Sequence, residues 1–254
     1  MQLKNKLQNQ LLFSNSNDNF KYKIKKNNVK VTFDTETNYY VEQHWKEMKE
    51  NYKQTRPLWN GEIYNLQNIV YTKINEEILF EVNLTNFKEA LYFSKLNDYH
   101  QMNPMGVQVI IETLDGQLVF GTRKFENELL SLICGVVSPK EIQNTDDIFL
   151  KQTLIEIEEE LGIKEHMLST FKIMGGMKTV TNSFDIITYC TLNVSFEKLK
   201  IIYKENGNYE NSNIIKCKKS VENLIEFKTQ YNDILTEQLE SILNWIIQKK
   251  IIIL

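Results

Sequence analysis

The stretch Leu154-Ile155-Glu156-Ile157-Glu158-Glu159-Glu160-Leu161-Gly162-Ile163 decides the reading of this chain. Leu150, Leu154, Ile157 and Leu161 recur at i, i+4, i+7 and i+11, the spacing of an apolar helical stripe. Residues three and four apart are neighbours on a helix surface. Glu156, Glu159 and Glu160 therefore share a front, so the spacing predicts a helix with an apolar back and crowded carboxylates. Such carboxylates raise one another's pKa unless a cation joins them. A hard divalent cation such as Mg²⁺ takes oxygen ligands and suits such a front. A solvated acidic face has the same composition, so the flanking sequence must separate the two.

Upstream, Val107–Ile111 and Leu118–Phe120 are apolar, β-branched-rich runs on either side of Asp115-Gly116. That dipeptide between two such runs predicts a hairpin. Leu129–Ile133 forms a further apolar run, Gly135 opens a small-residue segment, and a polar loop leads to the acidic helix. Gly162 stands where a helix C-cap belongs. The expected order is hairpin, strand, glycine loop, helix.

This order and these residues resemble the Nudix hydrolases, whose box reads G-x5-E-x7-R-E-U-x-E-E-x-G-U, with U a bulky apolar residue. Glu156, Ile157, Glu159, Glu160, Gly162 and Ile163 fall on its second half. Ile155 takes the arginine position, Asp147 the first glutamate and Glu141 the glycine, while Gly135 comes six residues early. The departures resemble the eukaryotic UDP-glucose diphosphatase branch, whose box is also irregular, with a lengthened loop and no arginine before the first helix glutamate. Trp45, Arg56-Pro57-Leu58-Trp59-Asn60-Gly61, Val82-Asn83-Leu84-Thr85-Asn86-Phe87-Lys88 and Pro104-Met105-Gly106-Val107 are similar, in order, to segments of that branch. The last two resemble its "L-G-L-T-x-Y" and "P-L-G-V" segments.

The resemblance implies an α+β chain: a Nudix fold, an α/β/α sandwich around a mixed sheet, with an N-terminal α+β extension. The expected division is a polar leader (1–20), the extension (21–103) and a hydrolase domain with a C-terminal helical region (104–254). The implied activity is Mg²⁺-dependent hydrolysis of a nucleoside diphosphate sugar, UDP-glucose giving UMP and glucose 1-phosphate. Mn²⁺ is the alternative ion. Glu156, Glu159 and Glu160 are implied as metal ligands. Glu156 and Glu160 are also the candidates for orienting or deprotonating the attacking water, with Glu160 the least replaceable. Other readings are hydrolysis of ADP-ribose or a dinucleotide, or a catalytically silent nucleotide-binding protein. Arg123 and Lys124 end the hairpin as candidate phosphate contacts, against solvated strand-end residues. Asp147 is expected as a helix cap or a further ligand, and Asp185 has an open role.

The rest of the chain narrows the classes. A net charge of −3 disfavours a nucleic-acid binder, and Lys21–Lys26 reads as a solvated strand edge or tail. No run reaches the ~20 apolar residues of a membrane span, and the Asn/Gln-rich N-terminus has no secretory pattern. Three widely spaced cysteines, Cys134, Cys190 and Cys217, suggest a reducing compartment. The expectation is an intracellular, cytoplasmic protein acting on a small molecule, with no nucleic-acid or membrane partner; the oligomeric state stays open. His44, His100 and His166 lack metal spacing. Helices are expected at Tyr40–Tyr52 and Phe87–Leu96, strands at Val29–Phe33, Ile78–Leu84, Leu168–Met174 and Asp185–Val194, and a turn or close backbone approach at Gly175-Gly176. Leu224, Phe227, Tyr231, Leu235, Leu239, Ile242 and Trp245 predict one long helical region over 220–250.

Overall fold

The computed structural model describes residues 10–14, 21–52, 58–72, 77–96, 102–124, 128–140, 142, 147–207 and 210–249. Glu141, Arg56, Pro57 and His100 lie outside the described residues, as does the C-terminal Ile251–Leu254.

The expected hairpin is present: β5 (Met105–Glu112) and β6 (Gln117–Arg123) turn at Gly116, whose φ of 71° lies in the left-handed region that glycine enters without steric cost. The hairpin then opens. β5 and β6 pair only at Ile111–Val119 and Glu112–Leu118, beside the turn. Further on, β7 (Leu130–Ser131) pairs with β6 while β8 (Ile133–Val136) pairs with β5. The short β7–β8 segment thus fills a wedge between two splayed strands.

β9 (Leu168–Lys178) and β10 (Phe184–Leu192) complete one side of the sheet, β10 running parallel to β5 and antiparallel to β9. β1 (Gln10–Ser14) adds to β9, and β11 (Asn211–Lys218) adds to β6. The order is β1-β9-β10-β5-β6-β11, a mixed sheet. One face packs on α3 (Ile148–Leu161) and α4 (Phe196–Asn206), the other on α5 (Val221–Gln230) and α6 (Glu237–Lys249). The expected α+β class and sandwich around a mixed sheet are therefore what the chain forms.

The N-terminal elements make a second sheet, β2 (Lys21–Lys30), β4 (Glu77–Asn86) and β3 (Glu62–Thr72), with α1 (Thr35–Tyr52) and α2 (Phe87–Lys95). α2 is held by a capping box between Asn86 and Glu89. This sheet shares most of its core with the main one, while Ile63, Ala90, Phe93 and Met102 form a small cluster of their own beneath α2. Tyr64, Leu66, Ile78, Phe80 and Val82 belong to the cluster that includes Val107, Phe149 and Ile157. Phe80 packs edge-on to Phe149 at 5.7 Å and against Phe184 at 5.8 Å.

Several expectations change. Residues 10–14 of the expected leader are a sheet strand, because Phe13 has an apolar neighbourhood in Phe80 and Phe184. Gly175-Gly176 is no turn but lies inside β9; a Cβ at Gly176 would overlap the Phe13 ring, so the close backbone approach is what is found. The C-terminal stripe packs as expected, yet on two helices. A 3-10 turn at Asn232–Ile234, a backbone bridge from Leu235 to Leu130, and a fresh cap from Thr236 Oγ1 to the Leu239 N–H (3.3 Å) interrupt it. Lys23 and Lys25 of the basic patch pair with Glu77 (3.1 Å) and Glu81 (2.7 Å) at the edge of the small sheet. Among the described residues no helix is long and apolar enough to cross a membrane.

Candidate active site

The acidic helix α3 starts where the sequence predicts. Asp147 caps it, accepting from the Leu150 N–H at 3.0 Å, and Gly162 closes it at φ 73°. Ile157 and Leu161 are fully buried, Leu154 is buried, and Ile155 packs partly buried against the same core. The three glutamates share a side of the helix but sit at three depths: Glu159 exposed, Glu156 half-buried and Glu160 only 1% exposed.

Glu160 is clasped by the β-wedge and by the far edge of the sheet. Its Oε1 accepts from the Cys134 N–H at 3.1 Å, its Oε2 accepts from Asn211 Nδ2 at 2.6 Å, and Arg123 Nη1 stands 3.6 Å from Oε2. Burial pushes its pKa up; Arg123 opposes that shift and Glu210 adds to it. Glu156 lies over Gly135, where a Cβ would overlap its carboxylate. Burial, then the charge of Glu160, pushes Glu156 up to about 8, with Glu159 and Glu210 adding.

Glu156 is oriented from within its own helix. Gln152 Nε2 donates to Glu156 Oε1 at 2.7 Å, and Gln152 Oε1 accepts from the Ser138 N–H at 3.2 Å. Glu156 is thus oriented by a neutral amide one turn earlier in the helix. Gln152 was not singled out from the sequence; its i−4 spacing from Glu156 is the signal that could have found it.

Arg123 points inward from the end of β6. Its Nε donates to Ser131 Oγ (2.8 Å), Nη1 to Glu210 Oε2 (3.1 Å), and Nη2 to Cys134 Sγ (2.7 Å) and the Leu132 carbonyl (3.5 Å). Lys124 is exposed, and its backbone N–H donates to the Glu210 carbonyl at 2.9 Å. Asp185 on β10 is buried, accepts from Gln108 Nε2 at 2.9 Å, and is pushed up to about 6 by desolvation. Its charge, with those of Arg123, Glu160 and Glu156, acts on the Cys134 thiol, so the four groups surround β8. Burial pushes that thiol up to about 12, so it is an unreactive core group rather than a nucleophile. Asn211 and Glu210 are members the sequence did not reveal, because β11 joins the site only through its pairing with β6.

The donor chemistry fits a hard divalent cation. Glu156, Glu159, Glu160 and Glu210 act electrostatically on one another with Arg123 as the cation opposing them at Glu160. Each Glu160 oxygen accepts one hydrogen bond and keeps a second lone pair. Among the described residues, however, no three His, Cys, Asp or Glu side chains already converge as a ligand set.

No family model matches the chain and no curated protein matches it. Solved structures to which it is similar include a MutT protein from Methanosarcina mazei Go1, at 15% identity over 58% of this chain and 95% of that one, TM-score 0.39. Another is a Nudix-family hydrolase from Clostridium perfringens, at 12% identity over 57% and 95%, TM-score 0.37. A third is a bifunctional NMN adenylyltransferase/ADP ribose pyrophosphatase from Francisella tularensis, at 10% identity over 63% of this chain and 45% of that one, TM-score 0.40. The reading of the site rests on its own side chains.

Proposed function

We propose that this chain is a Nudix-type diphosphatase, dependent on Mg²⁺ or Mn²⁺, that hydrolyses a nucleoside diphosphate sugar, with UDP-glucose giving UMP and glucose 1-phosphate. The observation that carries the reading is the carboxylate front of α3, where Glu156 is driven up to about 8 by burial and by Glu160. Carboxylates crowded at partial burial can all be ionised at neutral pH only where a cation compensates them, which is what such a front would bind. The sugar and base assignment rests on the resemblance of the N-terminal segments.

Glu156, Glu159 and Glu160 would hold the cation. When bound, the cation reverses the local sign for a diphosphate and neutralises charge developing on the transferred phosphoryl group. The chain's own groups prepare this. Cys134 N–H and Asn211 fix Glu160, and Gln152 fixes Glu156 above a glycine that leaves it room. Burial and the neighbouring Glu160 favour the protonated form of Glu156, and a bound cation would favour its carboxylate. Its carboxylate, or that of Glu160, would orient or deprotonate the attacking water.

The test is UMP release from UDP-glucose with and without Mg²⁺, for the wild type and Glu160→Gln. Metal-dependent turnover lost in the variant supports the reading. A pure, folded wild type that releases no UMP sinks the UDP-glucose assignment. Silence on ADP-ribose and dinucleotides as well would leave a nucleotide-binding protein.

A further inference from the structure

Arg123 is the cation within ion-pair distance of Glu160 among the described residues. Its guanidinium is stapled along the β7–β8 wedge, through Ser131 Oγ, the Leu132 carbonyl and Cys134 Sγ. With the fork fixed, Nη1 lies between the carboxylates of Glu160 and Glu210. The Arg123 side chain is only 11% exposed, which leaves little of it to meet a substrate phosphate. At the same Glu160 oxygen, Oε2, Asn211 donates its amide at 2.6 Å and is itself 3% exposed. Gly121, across from β11, makes room for it: a Cβ there would overlap Asn211 Oδ1. The position before Glu156 cannot share this work, since Ile155 packs into the core.

We propose that Arg123 and Asn211 are positioning residues that hold the Glu160 carboxylate from the sheet, and that Arg123 does not contact the substrate. The role of Glu160 as a ligand rests on the proposed function; the Arg123–Glu160 pairing does not. A planar guanidinium can span several acceptors in fixed geometry, whereas an ammonium cannot. Lysine at 123 should therefore restore charge without restoring the fork.

The experiment is a double-mutant cycle in thermal unfolding, with Arg123→Gln, Glu160→Gln and the pair, beside steady-state kinetics on UDP-glucose for Arg123→Gln, Arg123→Lys and Asn211→Ala. Arg123→Gln alone leaves a buried carboxylate without its counter-charge and should lower Tm by about 5 °C or more. In the Glu160→Gln background the same change should shift Tm by less than half as much. In kinetics, Arg123→Gln and Asn211→Ala should lower kcat by ~10–100-fold with KM within about twofold, because a misplaced group costs rate rather than binding. Arg123→Lys should recover only part of kcat.

Additive Tm shifts would overturn the proposal. So would a coupled cycle in which Arg123→Gln raises KM about tenfold at unchanged kcat, the result expected of a phosphate contact. Should Arg123→Gln fail to fold, Arg123→Lys takes its place in the cycle. A wild type with no turnover on any substrate would defeat the functional reading alone. The Tm cycle would still decide whether Arg123 holds Glu160.

Discussion

The Tyr22 hydroxyl donates to Asp147 Oδ1 at 2.8 Å and accepts from the Phe149 N–H at 3.3 Å, so a strand of the N-terminal sheet completes the cap of the acidic helix. The Tyr22 ring lies 4.7 Å from that of Phe149. The first helical N–H groups have no partner within the helix, and here a residue 127 positions away supplies one. The N-terminal sheet thus supports the candidate active site from below, besides any substrate contact it makes.

Tyr22→Phe should therefore lower stability by about 1 kcal/mol, a fall of roughly 2–4 °C in Tm for a chain of this size. Amide exchange should speed up at Phe149 and Leu150. Unchanged exchange at both would show that the hydroxyl does not secure the helix start.

Gln152→Leu removes the donor that orients Glu156 and strands the Ser138 N–H. Gln152 is 1% exposed, so the orphaned N–H should cost ~1–3 kcal/mol. The kcat of the proposed diphosphatase activity should drop at least ~10-fold. Full activity in a protein of lowered Tm would mean that Gln152 serves the fold and not Glu156.

Gly135→Ala separates activity from stability in the other direction. The added methyl would overlap the Glu156 carboxylate, the far end of a side chain that can swing away. We expect Tm to change little and kcat to fall ~100-fold. A large loss of Tm with intact kcat would contradict this geometry.

Asp185 has a worked pH signature. Its carboxyl is raised from 3.8 to about 6 by burial. Between those values the folded chain holds a proton that the unfolded chain has released, so stability falls as pH rises from about 4 to about 6 and is level above. Asp185→Asn should lack this fall and gain up to about 3 kcal/mol over wild type at pH 7. Tm curves of the two proteins that run parallel from pH 4 to 7 would refute the shift.

Much of this was written locally. The stripe Leu154, Ile157, Leu161, the cap Asp147, the closing Gly162 and the Asp115-Gly116 turn depend on neighbours within a few residues, and each is found where its spacing predicts. The nearness of Glu156, Glu159 and Glu160 is helical arithmetic of the same kind. Their unequal depths are not. Whether a carboxylate on a helix front meets water or a strand depends on what the sheet brings against it. Only the pairing of β11 with β6 carries Glu210 and Asn211, some fifty residues on in the chain, to Glu160. Only the splaying of β5 from β6 lets Cys134 and Gly135 slide beneath the helix and turns Arg123 inward. Nor did any local signal show residues 10–14 as a strand, because their partner β9 lies more than 150 residues away. Local spacing determined the acidic helix and its ends; long-range strand pairing, which has no period in the sequence, decided which of its carboxylates are held, and by what.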